Sequence, residues 1–207
     1  MAFKKRSHKA GTAGLEFALS TVFWVPLLLG TSVFGFNLIR AIQVTQIARD
    51  VAHMHAYGLD FSDVNNKAIA IRLARGLDIT TTGGNGVIII STLMSIGAAQ
   101  CTAAGLAADA TNCPNINQLV FIRRIVIGNA ALRASDFGTP SPAIIDGQGH
   151  IVAPNYLTNT SARATGFSGL MAMAAGQVAY VAEAYFASPE LGWAEYSSPG
   201  HYARSIF

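Results

Sequence analysis

Hydrophobic positions along this chain fall into three textures. From Phe17 to Ile39 the sequence FALSTVFWVPLLLGTSVFGFNLI runs for 23 residues without a charged side chain. At a rise of ~1.5 Å per residue, a helix of this length spans roughly 35 Å, enough to cross a hydrocarbon core with some tilt. Beyond Arg40, apolar residues recur at Val44, Ile47, Val51 and Met54, the three- and four-residue spacing of an amphipathic helix. Gly58 is a suitable stop. The pattern therefore predicts one long helix over residues 12–57, with its membrane-spanning part at about 17–39. Ser62 is the expected N-cap of a second, short helix over DVNNKAIAIRLARG, ending at Gly76. After TTTGGNG the texture changes again. VIIISTLMSI (87–96), QLVFIRRIVIG (118–128), QVAYVAEAYFA (177–187) and the C-terminal YARSIF are rich in β-branched and aromatic residues and predict strands. SGLMAMAAG (168–176) is expected to form a helical turn. The fold class that follows is α+β: a small antiparallel sheet packed on the outer half of the long helix.

Charge changes the picture at one end only. Lys4, Lys5, Arg6 and Lys9 precede residue 12, and no acid occurs before Glu16; the remainder carries 10 Lys/Arg against 11 Asp/Glu. A near-neutral body has no basic stripe for nucleic acid, so none is expected as a partner. The basic cluster on the short N-terminal side predicts a cytoplasmic N-terminus and an outer body, by the positive-inside rule. A buried helix of a soluble protein does not explain the one-sided cluster. A cleaved secretory signal is a poor fit, because the apolar run is too long and NLIRAIQVTQ offers no small-residue cleavage site. The segment is expected to stay in the membrane, in contact with lipid.

Candidate chemistry in the body is sparse. Cys101 and Cys113 enclose TAAGLAADATN, a spacing that suits neither a zinc site nor a C-x-x-C redox motif. In an oxidising compartment a disulfide between them is the expected outcome; two buried free cysteines are the alternative. His53 and His55 are two apart and point to different helix faces, so they are expected at a surface or interface rather than on one metal. Glu183 lies in an apolar strand and is expected to face solvent on an edge strand. One of Arg123 and Arg124 must face outward. Asn159-Thr160-Ser161 matches a glycosylation acceptor by pattern alone. No Gly-rich phosphate loop, G-x-S-x-G elbow or H-E-x-x-H helix occurs. The reading is of a protein without catalytic residues, metal or cofactor.

KAGTAGLEFALS (9–20) carries the sharpest signal. A carboxylate near lipid costs about 2.5 kcal/mol or more if drawn to the bilayer centre. The helix dipole offsets part of that cost at an N-terminus. Counted from Gly11, Glu16 stands fifth and is followed by Phe17; counted from Gly14, it stands second. A short basic leader, a glycine and a glutamate at the fifth following position before an apolar helix resembles the class III signal of type IV pilin-like proteins. The text KKRSHKAG|TAGLEFALSTVF, with its EF pair and G-x-A-x-x-E-F-A-L texture, is similar to TadE-like minor pseudopilins of the Tad (Flp) branch. VAYVAEAYFASPEL is similar, less specifically, to a late strand of that family.

That resemblance implies a leader at 1–11, cleavage by a prepilin peptidase after Gly11, and Thr12 as the new N-terminus. It implies that Glu16, flanked by Phe17, pairs with the amine of a neighbouring subunit in a bundle of other pilins or pseudopilins. It further implies a non-enzymatic, single-pass inner-membrane subunit with an extracytoplasmic α+β domain over 58–207. Pro26 then falls at mature position 15, where a kink is expected. Two alternatives stand beside it: a signal-anchored extracytoplasmic binding domain or enzyme, and a type II secretion pseudopilin, whose usual F-T-L-x-E fits TAGLE less well.

Overall fold

The computed structural model describes residues 9–167, 169–188 and 200–207. The first eight residues, most of the expected leader with Lys4, Lys5 and Arg6, lie outside the described residues, as do Ser168 and 189–199. Helix α1 runs without interruption from Lys9 to Ala56, 48 residues, through Pro26. The chain divides into two compact units, one up to Arg40 and one from Ala41 onward.

The first unit is the apolar stretch of α1. Its few polar side chains turn back onto their own helix. Ser20 and Thr21 donate to the carbonyls of Glu16 and Phe17 (both 2.8 Å), and Thr31, Ser32 and Asn37 donate to those of Leu27, Leu28 and Val33. Such i−4 bonds satisfy hydroxyls and amides that water would otherwise serve, as a lipid-exposed helix requires.

The second unit is an α+β body. Helix α2 spans Val64–Leu73, strand β1 Gly86–Ser95, helix α3 Ala98–Ala103, strand β2 Leu119–Gly128, helix α4 Asn155–Thr158, strand β3 Val178–Phe186 and strand β4 His201–Ile206. The four strands form one antiparallel sheet in the order β2-β1-β3-β4. The expected strands are all present, each within one residue of its expected start. The N-cap of α2 is Asp63 rather than Ser62: its carboxylate accepts from the backbone N–H of Asn65 and Asn66. The segment expected to coil as a helical turn forms only a turn at residues 169–170 and a second at 175–176.

The two faces of the sheet are covered differently. On one face, Ile88, Ile90, Ile125, Ile127, Ala182 and Phe186 pack with Val44, Ile47, Ala48, Val51 and Ala52 of α1 and with Phe61 and Leu77. The predicted stripe at 44, 47 and 51 is thus the buried one; Met54 is only partly buried. The other face is covered by the segment between β2 and β3, which contributes Phe137, Ile151, Leu157 and Phe167 to a second core with Leu93, Phe121 and Val181. A bulge divides these roles. Thr92 pairs with Arg123 but Leu93 pairs with Phe121, so Ile122 is the extra residue and Phe121 turns to the second face.

Cys101 and Cys113 are joined as a disulfide, both fully buried in the second core. Closing this loop restricts the unfolded chain and is worth about 3 kcal/mol. Reduction, or the Cys101→Ser/Cys113→Ser double variant, is expected to lower the unfolding free energy by that amount and the denaturant midpoint with it. Unfolding followed with and without reductant reads it; an unchanged midpoint would show the bond to be stability-neutral.

Candidate functional site

In the first unit the apolar side chains have no protein to pack on. Phe17 is 75% exposed, Phe23 77%, Trp24 62% and Phe34 71%, and Leu15, Leu19, Leu27, Leu28 and Leu29 are likewise exposed. These residues lie on every side of the helix. A helix that is apolar all round needs apolar surroundings, either lipid or other helices. By length and composition this helix is able to cross a membrane. Glu16, also exposed, is the sole ionisable side chain between Lys9 and Arg40. Gly11 and Thr12 lie on the helical backbone of the same stretch, roughly one and a half turns or less from Glu16.

In the second unit, two polar clusters sit where the sequence suggested ordinary surface. The first corrects the expectation for His55. His53 is exposed, but His55 is 3% exposed and faces the sheet, where its Nε2 and the Thr92 hydroxyl lie 2.8 Å apart. The Tyr180 ring meets it edge-on at 5.3 Å between centroids. The stripe at Val44, Ile47, Val51 simply continues to residue 55, one turn on. Burial pushes the imidazole below its ordinary value of 6.5, with Arg123 adding to the effect; the Leu59 backbone and Asp60 oppose it. His55, Thr92, Arg123, His150 and Tyr180 border a cavity of about 260 Å³. Arg123 is partly accessible and is ion-paired with the more exposed Asp60. The backbone N–H of Ser62, followed by Arg123, holds the Asp60 carboxyl down at about 2. A hydroxyl beside an imidazole has the spacing of a nucleophile and its base. A working base is oriented by a third group on its other nitrogen, whereas His55 Nδ1 is buried without a well-formed hydrogen bond. The pair serves as a polar tie between α1 and β1.

The second cluster corrects the expectation for Glu183. β3 lies between β1 and β4, not at an edge, and Glu183 is 2% exposed on the face covered by the β2–β3 segment. Its carboxylate accepts from the Ser135 hydroxyl, from the Asp136 N–H at 2.9 Å and from the Tyr202 hydroxyl at 2.7 Å. Burial and the carboxylate together push the Tyr202 phenol far above its ordinary value, so it stays a donor. Arg133 stacks on the Tyr202 ring at 4.0 Å and donates to Asp136. Arg124, adjacent in β2, is 7% exposed and is the buried one of the pair, while Arg123 stays partly accessible beside Asp60. Sequence reasoning missed this cluster. Its only signal was three charged positions, 123, 124 and 183, inside otherwise apolar strands. Asn159 caps the following turn through Ser161 N–H.

Because His55 resists protonation in the folded state while an unfolded imidazole titrates near 6.5, the unfolded chain binds the extra proton below that value. Its contribution is complete above 6.5 and is lost as pH falls beneath it, with a slope of up to about 1.4 kcal/mol per pH unit. Thermal unfolding in non-ionic micelles between about pH 7.5 and about pH 5 should show this slope. The His55→Gln variant should flatten it; an equal slope in the variant would assign the titration elsewhere.

No protein-family model matches this chain, and no curated protein or solved structure matches it. Its own residues carry the functional reading.

Proposed function

We propose that this chain is a minor pilin-like structural subunit, a pseudopilin that takes part in assembly or initiation of a Tad-type pilus. The observation that carries the reading is the first unit of α1: an apolar helix exposed on every side, with one carboxylate, Glu16, near its start. A simple anchor needs the apolar length and gains nothing from the acid. A subunit that must enter a helix bundle in a defined register gains a great deal.

The physical sequence is as follows. Before processing, the basic leader holds the N-terminus on the cytoplasmic side of a bacterial inner membrane, and the glutamate has no cationic partner in lipid. A prepilin peptidase cuts after Gly11, and the Thr12 α-amine appears. Between neighbouring subunits that amine and Glu16 are opposite charges in a low-dielectric bundle. Their attraction is strong there, and a lone charge of either sign is costly. Cleavage thus creates the partner that makes association favourable. Small residues at Gly14, Gly30 and Gly35, whose missing side chains leave open space, allow close approach of neighbouring helices. The body from residue 58 onward lies on the extracytoplasmic side, where the disulfide is stable.

Intact mass or N-terminal sequencing of the protein from its native host is expected to find Thr12 first. A chain still beginning at Met1 beside an active prepilin peptidase would refute processing. Glu16→Ala is expected to insert in the membrane normally yet to lose assembly, since an unpaired amine in the bundle costs about 3 kcal/mol or more. Normal fibres from that variant would remove the pairing role.

A further inference from the structure

The loop-covered face of the sheet holds a cavity of about 320 Å³, at the lower end of the size of small-molecule sites. Its walls are apolar: Ile89 and Val126 from the sheet, Pro140, Pro142 and Ile145 from the covering segment. Two guanidinium groups, Arg124 and Arg133, are its only charged lining. Their surroundings differ from those of the carboxylates nearby.

Glu183 has three donors, and Asp136 is held by Arg133. The acceptors are therefore satisfied. The donors are not. Arg124 is 7% exposed, yet among the described residues its guanidinium makes one hydrogen bond, from Nη1 to the Gly138 carbonyl at 3.0 Å, and no direct ion pair, the Glu183 carboxylate acting on it only through space. It also lies 5.5 Å from the centre of the Phe121 ring. Arg133 Nε is buried and without a partner. A guanidinium carries five N–H donors in a planar fork, and buried charges in proteins are ordinarily paired. The backbone around Arg124 is built to keep it in place. Gly138 and Gly149 both adopt positive φ (+103 and +83), and Gly149 presents its carbonyl to the Arg124 N–H at 2.7 Å. A side chain at Gly149 would stand 2.5 Å from the Arg124 carbonyl oxygen.

We propose that this cavity is a binding site for a small organic carboxylate, whose anionic end is held by Arg124 and Arg133 and whose apolar body lies against Ile89, Val126 and Ile145. The two-pronged match of guanidinium to carboxylate supplies orientation, and the walls exclude a hydrated inorganic ion in favour of an acid with an aliphatic or aromatic tail. The site is independent of the membrane helix and of the pilin-like reading. It would give the extracytoplasmic body a ligand of its own, either a free acid or the carboxylate end of a peptide.

The test is titration of the full-length chain, in non-ionic micelles, with benzoate, with N-acetylphenylalanine and with uncharged benzyl alcohol. Two variants accompany it. Arg124→Gln removes the charge, and Ala134→Phe, at an exposed position on the cavity wall, fills the space and leaves both arginines. Saturable millimolar or tighter binding of one or both acids is expected, weakened at least tenfold in Ala134→Phe and in folded Arg124→Gln, with benzyl alcohol not saturating. N-acetylphenylalanine binding more tightly than benzoate points to a chain end as the source, and the reverse order to a free acid. Absence of saturable binding to wild type, or equal binding by Ala134→Phe, would overturn the proposal even if Arg124→Gln failed to fold.

Discussion

The body of this protein depends on one packing contact, the face of α1 from Val44 to His55 against the sheet. Val44, Ala48, Val51 and Ala52 are buried to within 1% of complete, against Ile88, Ile90 and Ile127. Ala48 and Ala52 are fully buried in this contact beside the larger Val44, Ile47 and Val51. An antiparallel sheet of four strands has one face to cover before anything else can be built on it. Here the covering helix is also the continuation of an apolar segment able to span a membrane. Helix geometry is therefore constrained twice along one uninterrupted element, and Pro26, which removes an N–H and leaves the Val22 carbonyl unmatched, does not end it.

With the first face taken by α1, the second is closed by a long excursion between β2 and β3. This excursion brings no regular helix of useful length. It is held instead by point contacts: the disulfide-bearing loop, Asn115 donating to the Tyr156 and Asn159 carbonyls at 2.9 and 2.8 Å, and the Ser135–Asp136 pair on Glu183. Buried charge is the consequence. A loop cover leaves backbone groups needing partners, and charged side chains from the strands, Arg124 and Glu183, reach up to satisfy them. The same arrangement leaves Arg124 with donors in excess of acceptors.

Different parts of this structure were legible in the sequence for different physical reasons. The helix stripe and the four strands are local periodicities, and the stripe at Val44, Ile47 and Val51 named its own buried face. The role proposed for Glu16 rests on a count along the chain, from Gly11, and not on any contact in the fold. Burial of His55, Arg124 and Glu183 was not legible. Glu183 reads as a solvent position only if its strand is an edge, and strand order is a long-range property: β3 is interior because β4 returns to pair with it. Ser135, which caps its carboxylate, is 48 residues away in sequence. Arg123 and Arg124 point to opposite faces, as alternation requires, and both faces are covered. Asp63 replaced Ser62 as the cap for a nearer reason, since its carboxylate reaches two N–H groups at once.

The two units place opposite demands on a charged side chain. In the membrane-length part of α1, the single carboxylate, Glu16, forms no ion pair among the described residues, and the proposed reading gives it a partner from a neighbouring subunit. In the body, Arg124 has the Glu183 carboxylate near enough to act on it but not in a direct ion pair, and it is fixed by a strand, two glycines and an aromatic ring rather than set on an exposed helix. A charge that must meet a partner from an adjacent subunit belongs on an accessible helix, where docking geometry is set by the bundle. A charge that must meet a small ligand belongs on a rigid strand beneath a formed cavity, where the protein sets the geometry itself. On the two proposals Glu16 and Arg124 answer to those descriptions, and because they lie on separate units assembly and ligand binding would be altered one at a time.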